Sequence, residues 1–399
     1  MEMSGVKNKV GYAKDWLQFK LGDLIDFKGG SQPPRFTFIF SPKEGYVRLL
    51  QIRDYKSDKY ATYIPISLAK NSCSPDDIMI GRYGPPIFQI LKGLSGAYNV
   101  ALIKAQPNDK LNNTYGYYFL KQDKLLEFVE KLSQRSSGQT GIDLQELKNY
   151  PFPLPPTFAE QSAIATTLSD ADALITSLEK LIAKKRNIKQ GAMQKLLKPR
   201  KSWEVKSLGE VSDLTSSKRI FENEYVKNGI PFYRGKEISL LNKNKRIGEE
   251  YFISEQRYNE IKNVFGAPKK DEILITAVGT LGNVYLIPDN SKFYFKDGNL
   301  IWLRNIRNIL PAFLEIQINW LKDEIINNAI GSSQKALTIV VLNKQSVAYP
   351  NSISEQQAII SILKDMDSDI LTLESKLEKY RQIKSGMMQN LLTGKIRLI

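Results

Sequence analysis

The chain of 399 residues contains no histidine and one cysteine, Cys73. Without histidine it has no Ser–His or Cys–His nucleophilic site and no histidine-containing zinc centre. A single cysteine can form neither an internal disulfide nor a four-cysteine zinc site, which suits a reducing cytoplasm. No apolar run is long enough to span a bilayer, and residues 1–14 lack the apolar centre of a secretory signal. We therefore expect a cytoplasmic protein with no membrane partner.

The usual short motifs of catalysis are also missing. There is no glycine-rich phosphate loop ending in Gly-Lys-Ser/Thr, and no Asn/Asp-Pro-Pro-aromatic tetrapeptide of amino-methyltransferases. Pro75-Asp76 and Pro288-Asp289 resemble the start of a nuclease motif, but no acidic-x-Lys follows, and Pro-Asp is common in turns. The glycines of 279–282 fit a turn better than a dinucleotide site. We predict no catalytic residues, no metal site and no enzyme activity of the chain's own.

What the chain does have is positive charge. Its formal net charge is +15 and its pI is about 9.4. That balance points to a polyanionic partner, although ribosomal, membrane-surface and nucleic-acid proteins share it. A hydrophobic content of 42% over this length is enough for two domains with their own cores.

One stretch occurs twice. The segment from Thr157 to Leu197 returns without a gap as Ser352 to Leu392, a shift of 195 residues. The positions that are identical in both copies include apolar and charged residues alike: Glu160/Glu355, Gln161/Gln356, Ile164/Ile359, Leu168/Leu363, Asp170/Asp365, Ile175/Ile370, Glu179/Glu374, Arg186/Arg381 and Lys189/Lys384.

Each copy of this stretch is typical of one long helix. Thr157 with Glu160, and Ser352 with Glu355, have the spacing of a capping box. Apolar residues then follow at alternating steps of four and three, as in Ile359, Leu363, Met366, Ile370, Leu373, Leu377 and Tyr380. An average step of 3.5 residues makes a narrow seam and predicts a coiled coil. About 38 helical residues would form a rod of ~57 Å.

The segments before the two helices also repeat, more faintly. Trp16 and Trp203 each begin a Trp-x4-Leu-Gly-acidic pattern. Short β-branched and aromatic runs separated by turn residues then predict strands. We align three pairs of runs in order: 45–50 with 229–234, 77–84 with 272–279, and 99–103 with 299–303.

Each globular segment ends in a similar series of elements. A helical stretch (115–132; 311–330) is followed by a polar turn (136–141; 331–336), and residues 150–156 are expected to form stiff extended chain. We therefore divide the chain into a first domain (1–156), a first long helix (157–200), a second domain (201–351) and a second long helix (352–399).

These patterns resemble the specificity subunits of type I restriction–modification systems. The resemblance rests on Glu-Gln at the start of each long helix, on Lys189-Gln190-Gly191-Ala192-Met193-Gln194-Lys195-Leu196-Leu197, and on the ending Leu391-Leu392-Thr393-Gly394-Lys395. The Trp-x4-Leu-Gly-acidic pattern adds to it. It extends over residues 16–398, although the first copy has Lys198-Pro199-Arg200 in place of Thr-Gly-Lys.

The resemblance implies an α+β fold class. Two target recognition domains would alternate with two long helices that pair as an antiparallel coiled coil, in a pseudo-twofold tandem repeat. Each domain would read one half of a bipartite site in double-stranded DNA, and the helices would fix the spacing between the halves. The helices would also dock two DNA-methyltransferase subunits, with endonuclease/translocase subunits joining the complex. This chain would carry no cofactor, since S-adenosylmethionine, ATP and Mg would belong to those partners.

Candidate DNA-contacting residues lie in loops where glycine lets a backbone approach closely and where basic or amide side chains can reach phosphates or base edges. Each could equally be an ordinary solvated turn residue. The candidates are Arg35, Arg82, Tyr83, Ser137, Gln139 and Thr140 in the first domain, and Lys218, Arg219, Arg234, Lys236, Ser333, Gln334 and Lys335 in the second.

Candidate subunit-interface residues are the charges repeated in both long helices, which we expect to be exposed. The alternative is a solvated helix face whose charges form pairs between residues i and i+4 of the same helix. These candidates are Glu160, Glu179, Arg186 and Lys189, with their counterparts Glu355, Glu374, Arg381 and Lys384.

Two other functions compete with the DNA-specificity hypothesis. One is a coiled-coil adaptor whose globular ends bind proteins; strong salt dependence of duplex binding would count against it. The other is a detached specificity portion of a single-chain restriction–methylation enzyme, which the complete two-domain, two-helix plan disfavours.

Overall fold

The computed structural model describes residues 13, 15–133, 141–242, 245–248, 250–331 and 335–398. The chain forms two compact units. Unit 1 comprises Met1–Lys180 and Ser375–Ile399, and unit 2 comprises Leu181–Glu374. Each unit therefore contains one globular segment together with part of each long helix.

Unit 1 begins with mixed strands and short helices. Its strands are β1 (Leu17–Lys20), β2 (Ile25–Gly29), β3 (Tyr46–Leu50), β4 (Tyr63–Pro65), β5 (Ser72–Cys73), β6 (Ile78–Gly81), β7 (Gln89–Leu91), β8 (Gly96–Tyr98), β9 (Leu102–Pro107) and β10 (Pro151–Leu154). Its helices are α1 (Leu21–Leu24), α2 (Asn113–Leu120), α3 (Asp123–Ser133), α4 (Leu144–Lys148) and the first part of α5 (Phe158–Leu196).

In the described part of unit 1, the strands form three sheets. The first has the order β2-β9-β6-β7 and the second the order β4-β3-β8-β5, while β1 pairs with β10. In the first sheet all neighbours are antiparallel, and in the second β3 and β8 are parallel. The proline-rich segment expected to be stiff extended chain thus contains a paired strand, with Phe152 and Leu154 buried in the core.

Unit 2 repeats this plan. Its strands are β11 (Trp203–Ser207), β12 (Asp213–Thr215), β13 (Tyr225–Val226), β14 (Ile230–Tyr233), β15 (Tyr251–Ile253), β16 (Ile273–Thr276), β17 (Val284–Leu286), β18 (Tyr294–Phe295), β19 (Leu300–Arg304) and β20 (Ser346–Pro350). Its helices are α6 (Leu208–Val211), α7 (Gly235–Leu241), α8 (Glu255–Phe265), α9 (Pro311–Trp320), α10 (Lys322–Asn327), α11 (Ile339–Asn343) and the first part of α12 (Ile353–Leu391).

The first sheet and the strand pair of unit 2 correspond to those of unit 1, and in the second sheet β15-β14-β18 matches β4-β3-β8, but the fourth strand lies at opposite edges, β5 beside β8 and β13 beside β15. The orders are β12-β19-β16-β17 and β13-β15-β14-β18, and β11 pairs with β20. The strand pairing also corrects one predicted correspondence. Gly81 faces Leu102 on β9, and Thr276 faces Leu300 on β19. Leu102 therefore matches Leu300, and the alignment of 99–103 with 299–303 is wrong by two residues.

The Trp-x4-Leu-Gly-acidic pattern has a structural explanation. The acidic residue caps a short helix, since Asp23 accepts the Lys20 N–H at 2.8 Å and Glu210 accepts the Ser207 N–H at 2.7 Å. The glycine admits a neighbouring segment, because a Cβ at Gly22 would lie 2.9 Å from the Cβ of Lys148. The pattern thus fixes the first turn of each globular segment.

The two predicted long helices are confirmed, and each is continuous over 39 residues. Their seam residues are buried within their units: Ile164, Leu168 and Leu178 in unit 1, and Ile359, Leu363 and Ile370 in unit 2. Thr157 and Ser352 hydroxyls accept the N–H groups of Glu160 and Glu355, as expected of N-caps. The two glutamates do not complete the capping boxes, because their carboxylates bind arginines instead.

Each predicted helical stretch after the sheets consists of two helices. In unit 1, α2 and α3 are separated at Lys121–Gln122, where the N–H groups of both residues bond three residues back and tighten the end of α2. In unit 2, Leu321 separates α9 from α10.

Candidate nucleic-acid interface

Three segments of unit 1 meet at one edge of its first sheet. The Ser31 N–H donates to the Tyr98 carbonyl at 3.2 Å, and the Arg82 N–H donates to the Ala101 carbonyl at 2.8 Å. A Cβ at Gly30 would lie 2.0 Å from the Asn99 carbonyl oxygen, so glycine is required for this approach. The loops that follow β2 and β6 therefore leave from the same edge, which we call the unit 1 edge.

Arg82 and Tyr83 lie together at the unit 1 edge. The Arg82 guanidinium is 5.2 Å from the centre of the Tyr83 ring, and Tyr83 is 38% exposed. The Nε of Arg82 is buried and has no hydrogen-bond partner among the residues that the structure describes. A Cβ at Gly141 would lie 3.5 Å from the Tyr83 ring, so the chain returns to this edge at Gly141. The candidates Ser137, Gln139 and Thr140 lie outside the described residues.

Arg35 lies in the loop that leaves the unit 1 edge after β2. It begins a single 3₁₀ turn, Arg35–Thr37, and its side chain is exposed. Sequence reasoning missed its neighbours Phe36 and Phe40, whose exposed fractions are 89% and 76%. The signal was an aromatic residue directly after an arginine in a proline-rich turn.

Unit 2 has an equivalent edge on its first sheet. The Gly298 N–H donates to the Ser216 hydroxyl at 3.3 Å, and the Ala277 N–H donates to the Asn299 carbonyl at 2.8 Å. The Leu337 N–H donates to the Ala277 carbonyl at 2.9 Å. The loops after β12 and β16 and the segment around Leu337 therefore meet at what we call the unit 2 edge.

Lys218 and Arg219 follow the unit 2 edge directly. The Lys218 ammonium lies 4.7 Å from the centre of the Phe265 ring, and its backbone N–H donates to the Tyr294 hydroxyl at 2.8 Å. The Arg219 Nε donates to Asp297 at 2.9 Å, yet its side chain remains 67% exposed. Both cations are thus held in place while their charge faces solvent.

Arg234 differs from the other cations, because it serves a buried carboxylate. Its Nη2 donates to Glu237 at 2.8 Å, and its guanidinium lies 4.2 Å from the centre of the Tyr251 ring. Burial alone would raise the pKa of Glu237, but the hydrogen bonds and charge of Arg234 hold that pKa below its ordinary value. Arg234 therefore stabilises the start of α7.

The remaining candidates of unit 2 are exposed. Lys236 follows Gly235, at which a Cβ would lie 3.9 Å from the Val278 carbonyl oxygen, so the start of α7 lies beside the unit 2 edge. Lys335 precedes the bridge between Ala336 and Ile330. Ser333 and Gln334 lie outside the described residues.

The repeated charges of the long helices pair with each other inside each unit. In unit 1, Arg381 donates to Glu179 at 2.7 Å, and Lys384 binds Asp172. In unit 2, Arg186 binds Glu374, and Lys189 binds Asp367. The pairs correspond through the shift of 195 residues, with the two helices exchanging roles. Arg381 and Glu179 keep 51% and 46% of their side-chain exposure, so both remain open to further contacts.

Glu160 departs from the expectation of an exposed charge. It is 1% exposed, because both of its carboxylate oxygens bind the guanidinium of Arg397 within unit 1. Its counterpart Glu355 is partly buried and accepts from Arg200 at 3.1 Å and from the Trp203 indole at 3.3 Å. Both glutamates thus anchor the beginning of a long helix within their own unit.

The described residues contain no group of three or more His, Cys, Asp or Glu side chains placed to hold a metal ion. In the same part of the chain, no helix has the length and apolar character needed to span a membrane.

Comparison with known proteins identifies the same pattern along almost the whole chain. The family model described as the type I restriction modification DNA specificity domain matches residues 13–190 and again 200–384. The two matches follow the tandem repeat that the sequence shows.

Individual relatives agree with the family match. The chain is 26% identical to the type I restriction enzyme MjaVIII specificity subunit of Methanocaldococcus jannaschii, over all of this chain and 96% of that protein. It is 28% identical to a putative type I restriction enzyme specificity subunit of Haemophilus influenzae, over 64% of each. The fold resembles the crystal structure of a type I restriction–modification S subunit from M. genitalium. There the TM-score is 0.58 and the identity 18%, over 97% of this chain and 98% of that one.

Proposed function

The chain belongs to the type I restriction–modification DNA specificity family, and we propose that it selects the DNA sequence on which a methyltransferase complex acts. Each globular segment would read one half of a bipartite site in double-stranded DNA. The observation that carries this proposal is the recurrence of one arrangement. In each unit, basic side chains lie on the loops that leave one edge of the first sheet, and this edge is equivalent in the two units. Cations on such loops can neutralise phosphates and reach base edges.

The charge of the chain supports the same proposal. A formal net charge of +15 attracts a polyanion over a distance, and exposed cations such as Arg35, Lys236 and Lys335 are free to release counterions from DNA. Arg82 and Tyr83 are better suited to base contact, because a half-buried guanidinium packed on an aromatic ring has few orientations. Arg234 is the least suited, since Glu237 already occupies it.

The long helices would fix the number of base pairs between the two half-sites. They are continuous, and each unit holds its parts of both helices with a buried seam and with ion pairs. The exposed fraction of the paired charges leaves room for a second role, the docking of two methyltransferase subunits. S-adenosylmethionine, ATP and Mg would belong to methyltransferase and endonuclease/translocase partners, and this chain would contribute no catalysis.

The first experiment is purification of the tagged chain from its native cells, followed by mass spectrometry of the intact complex. Recovery with two copies of a methyltransferase subunit, and selection of two short motifs at a fixed gap from random DNA, would support the proposal. Recovery without a methyltransferase from cells that encode one would contradict it and favour a protein-binding adaptor.

Matched substitutions then assign the half-sites. Arg82→Ala should relax the sequence read by unit 1 and leave the other half-site unchanged, and Lys218→Ala, which removes the cation packed on the Phe265 ring, should do the reverse. Gln139→Ala, in a segment outside the described residues, offers a second variant for the first half-site. Equal weakening of both half-sites would instead indicate phosphate contact or a folding defect.

A further inference from the structure

We propose that Phe36 in unit 1 and Phe221 in unit 2 insert between neighbouring base pairs, so that each half-site is read partly by its deformability. This inference rests on the proposed DNA binding and adds a mode of recognition to it. Aromatic wedges unstack a base step and kink the duplex, and the energy of the kink depends on the sequence that is deformed.

Phe36 is the most exposed of the large hydrophobic residues described, at 89%. Its exposure is built into the turn. The Thr37 hydroxyl and N–H both donate to the Pro34 carbonyl, at 2.7 and 3.0 Å. Pro33 before the turn is buried, and Phe38 after it packs against the cluster of Leu49 and Ile64. The turn is thus anchored on both sides while the ring between the anchors faces solvent.

The surroundings of Phe36 favour DNA as the occupant. Arg35 is exposed beside it, and a cation next to a wedge can bind the phosphates that flank the opened step. Phe40, which is 76% exposed, extends the apolar surface of the same loop. This loop leaves the sheet edge at which Arg82 and Tyr83 lie, because β2 and β6 pair with opposite sides of the same strand, β9.

Unit 2 presents a phenylalanine from the same place in the fold. Phe221 is 60% exposed and follows β12, as Phe36 follows β2. The turn is again fixed, because the Phe221 N–H donates to Glu224 at 2.7 Å and the Glu224 N–H donates to the Phe221 carbonyl at 3.0 Å. Ile220 before it is buried.

The charges near Phe221 are of both signs, since the exposed Glu222 follows it directly. Arg219 lies two residues before the ring and is 67% exposed. The carboxylate of Glu224 is paired with Arg257 at 2.7 Å, which reduces its repulsion of a phosphate. Because the two turns share a position and an exposed ring but little sequence, their agreement supports a common use.

The test uses the complete complex and a duplex that contains its selected site, with 2-aminopurine placed in turn at each base step. Fluorescence of this base rises when it is unstacked. We expect a rise at one step in each half-site. Phe36→Ala should abolish the rise in one half only and weaken binding about tenfold, and Phe221→Ala should do the same in the other. Phe36→Leu, which keeps an apolar side chain, should retain part of the rise.

Two exposed apolar residues outside the turns provide matched controls. Ile66→Ala in unit 1 and Val264→Ala in unit 2 remove side chains that are 59% and 72% exposed, and both should leave the signal and the affinity unchanged. Thermal unfolding of each variant checks that the fold is retained.

The outcomes separate this inference from the proposed function. If the unsubstituted chain binds its site selectively without a fluorescence rise at any base step, the wedge is overturned and the proposed function stays intact. This outcome needs no variant. No sequence-selective binding overturns the proposed function itself. If Phe36→Ala keeps the fluorescence rise but loses a partner subunit on purification, the ring contacts protein and the wedge is wrong.

Discussion

The side-chain oxygen of Gln161 accepts a hydrogen bond from the backbone N–H of Asn112 at 2.8 Å, and its amide donates to the Lys110 carbonyl at 3.1 Å. In unit 2, the side-chain oxygen of Gln356 likewise accepts from the Leu310 N–H at 2.7 Å, whereas its amide donates at 2.8 Å to the carbonyl of Pro350, at the end of β20. Both glutamines are buried. One amide therefore joins each long helix to the start of the helix that follows the sheets.

Gln161→Ala should destabilise unit 1, because it leaves a helix-start N–H and a carbonyl without their buried partner. We expect a loss of about 2 kcal/mol in the free energy of unfolding, measured by urea denaturation of the full chain with circular dichroism. Gln194→Ala, which truncates an exposed glutamine of α5, serves as control and should change the free energy of unfolding by less than about 0.5 kcal/mol. Equal losses for both variants would contradict the role of the buried amide.

Arg234→Ala should destabilise unit 2 even without DNA, because it leaves Glu237 charged and buried. The expected loss is about 2–3 kcal/mol, less than for a fully buried pair because Arg234 keeps 30% of its exposure. Denaturation of the full chain measures it. The double variant Arg234→Leu/Glu237→Leu should recover stability, since it removes both charges; if it does not, packing rather than the ion pair is responsible.

The Glu237 pair also predicts a pH dependence. Its pKa in the folded state lies below the ordinary value of 4.5. The resulting stabilisation is therefore complete above that value and is lost as the pH falls through the lower, folded-state pKa. Melting temperatures between pH 7 and pH 3 should decline less steeply for Glu237→Gln than for the unsubstituted chain. The exposed Glu222→Gln should keep the original slope.

A charge exchange separates the two roles of the helix ion pairs. Arg381→Glu places like charges beside Glu179 and should cost about 0.5–1 kcal/mol, the scale of exposed pairs. The double variant Glu179→Arg/Arg381→Glu should restore the stability. If methyltransferase subunits bind these charges, the double variant should still fail to co-purify with those subunits. Full recovery of both properties would show that the charges act only within the unit.

Arg219 should account for about one unit of the slope of log affinity for DNA against log salt concentration, as expected for one phosphate contact. Binding titrations of Arg219→Ala at several salt concentrations measure the change. Asp297→Asn should strengthen binding, because it removes the carboxylate that competes for the guanidinium. Lys270 provides the control, because it precedes β16 and so lies at the end of that strand opposite to the unit 2 edge. An equal change of slope in Lys270→Ala would show that the position of the cation does not matter.

The repeated stretch was the most predictable part of the molecule. Its helix starts at Thr157 and Ser352, its apolar seam and its continuity follow from caps and periodicity, which are local properties. The α+β fold class, with two domains alternating with two long helices, followed from the repeat and the resemblance together. The burial of Gln161 and Gln356 was not predicted, although both copies carry them, because their partners could not be read from the chain.

The globular segments were less predictable, because their contacts join residues far apart in sequence. The two-residue error arose because 99–103 was aligned with 299–303 by matching Asn99 with Asn299. The correct alignment depends on strand register, that is, on the pairing of β9 with β6 and of β19 with β16. The sequence around Glu160 predicts an exposed helix charge, because its burial depends on Arg397, which lies 237 residues away. Arg234 is held by Glu237 three residues later, whereas the partner of the exposed Arg219, Asp297, lies 78 residues away.

Unit 1 is made of two segments that are far apart in the sequence, and this affects its folding during synthesis on the ribosome. Unit 2 is one continuous segment, whereas unit 1 needs residues 375–399 in addition to its first 180. In unit 1 the Ala13 N–H donates to the Thr393 carbonyl, and Leu391 and Leu392 belong to the same buried cluster as Trp16. A nascent chain therefore completes unit 2 first, while the earlier-made part of unit 1 still lacks a portion of its core. The part of unit 1 that is translated before unit 2 is thus completed after it, and until then its uncovered apolar side chains are available to chaperones.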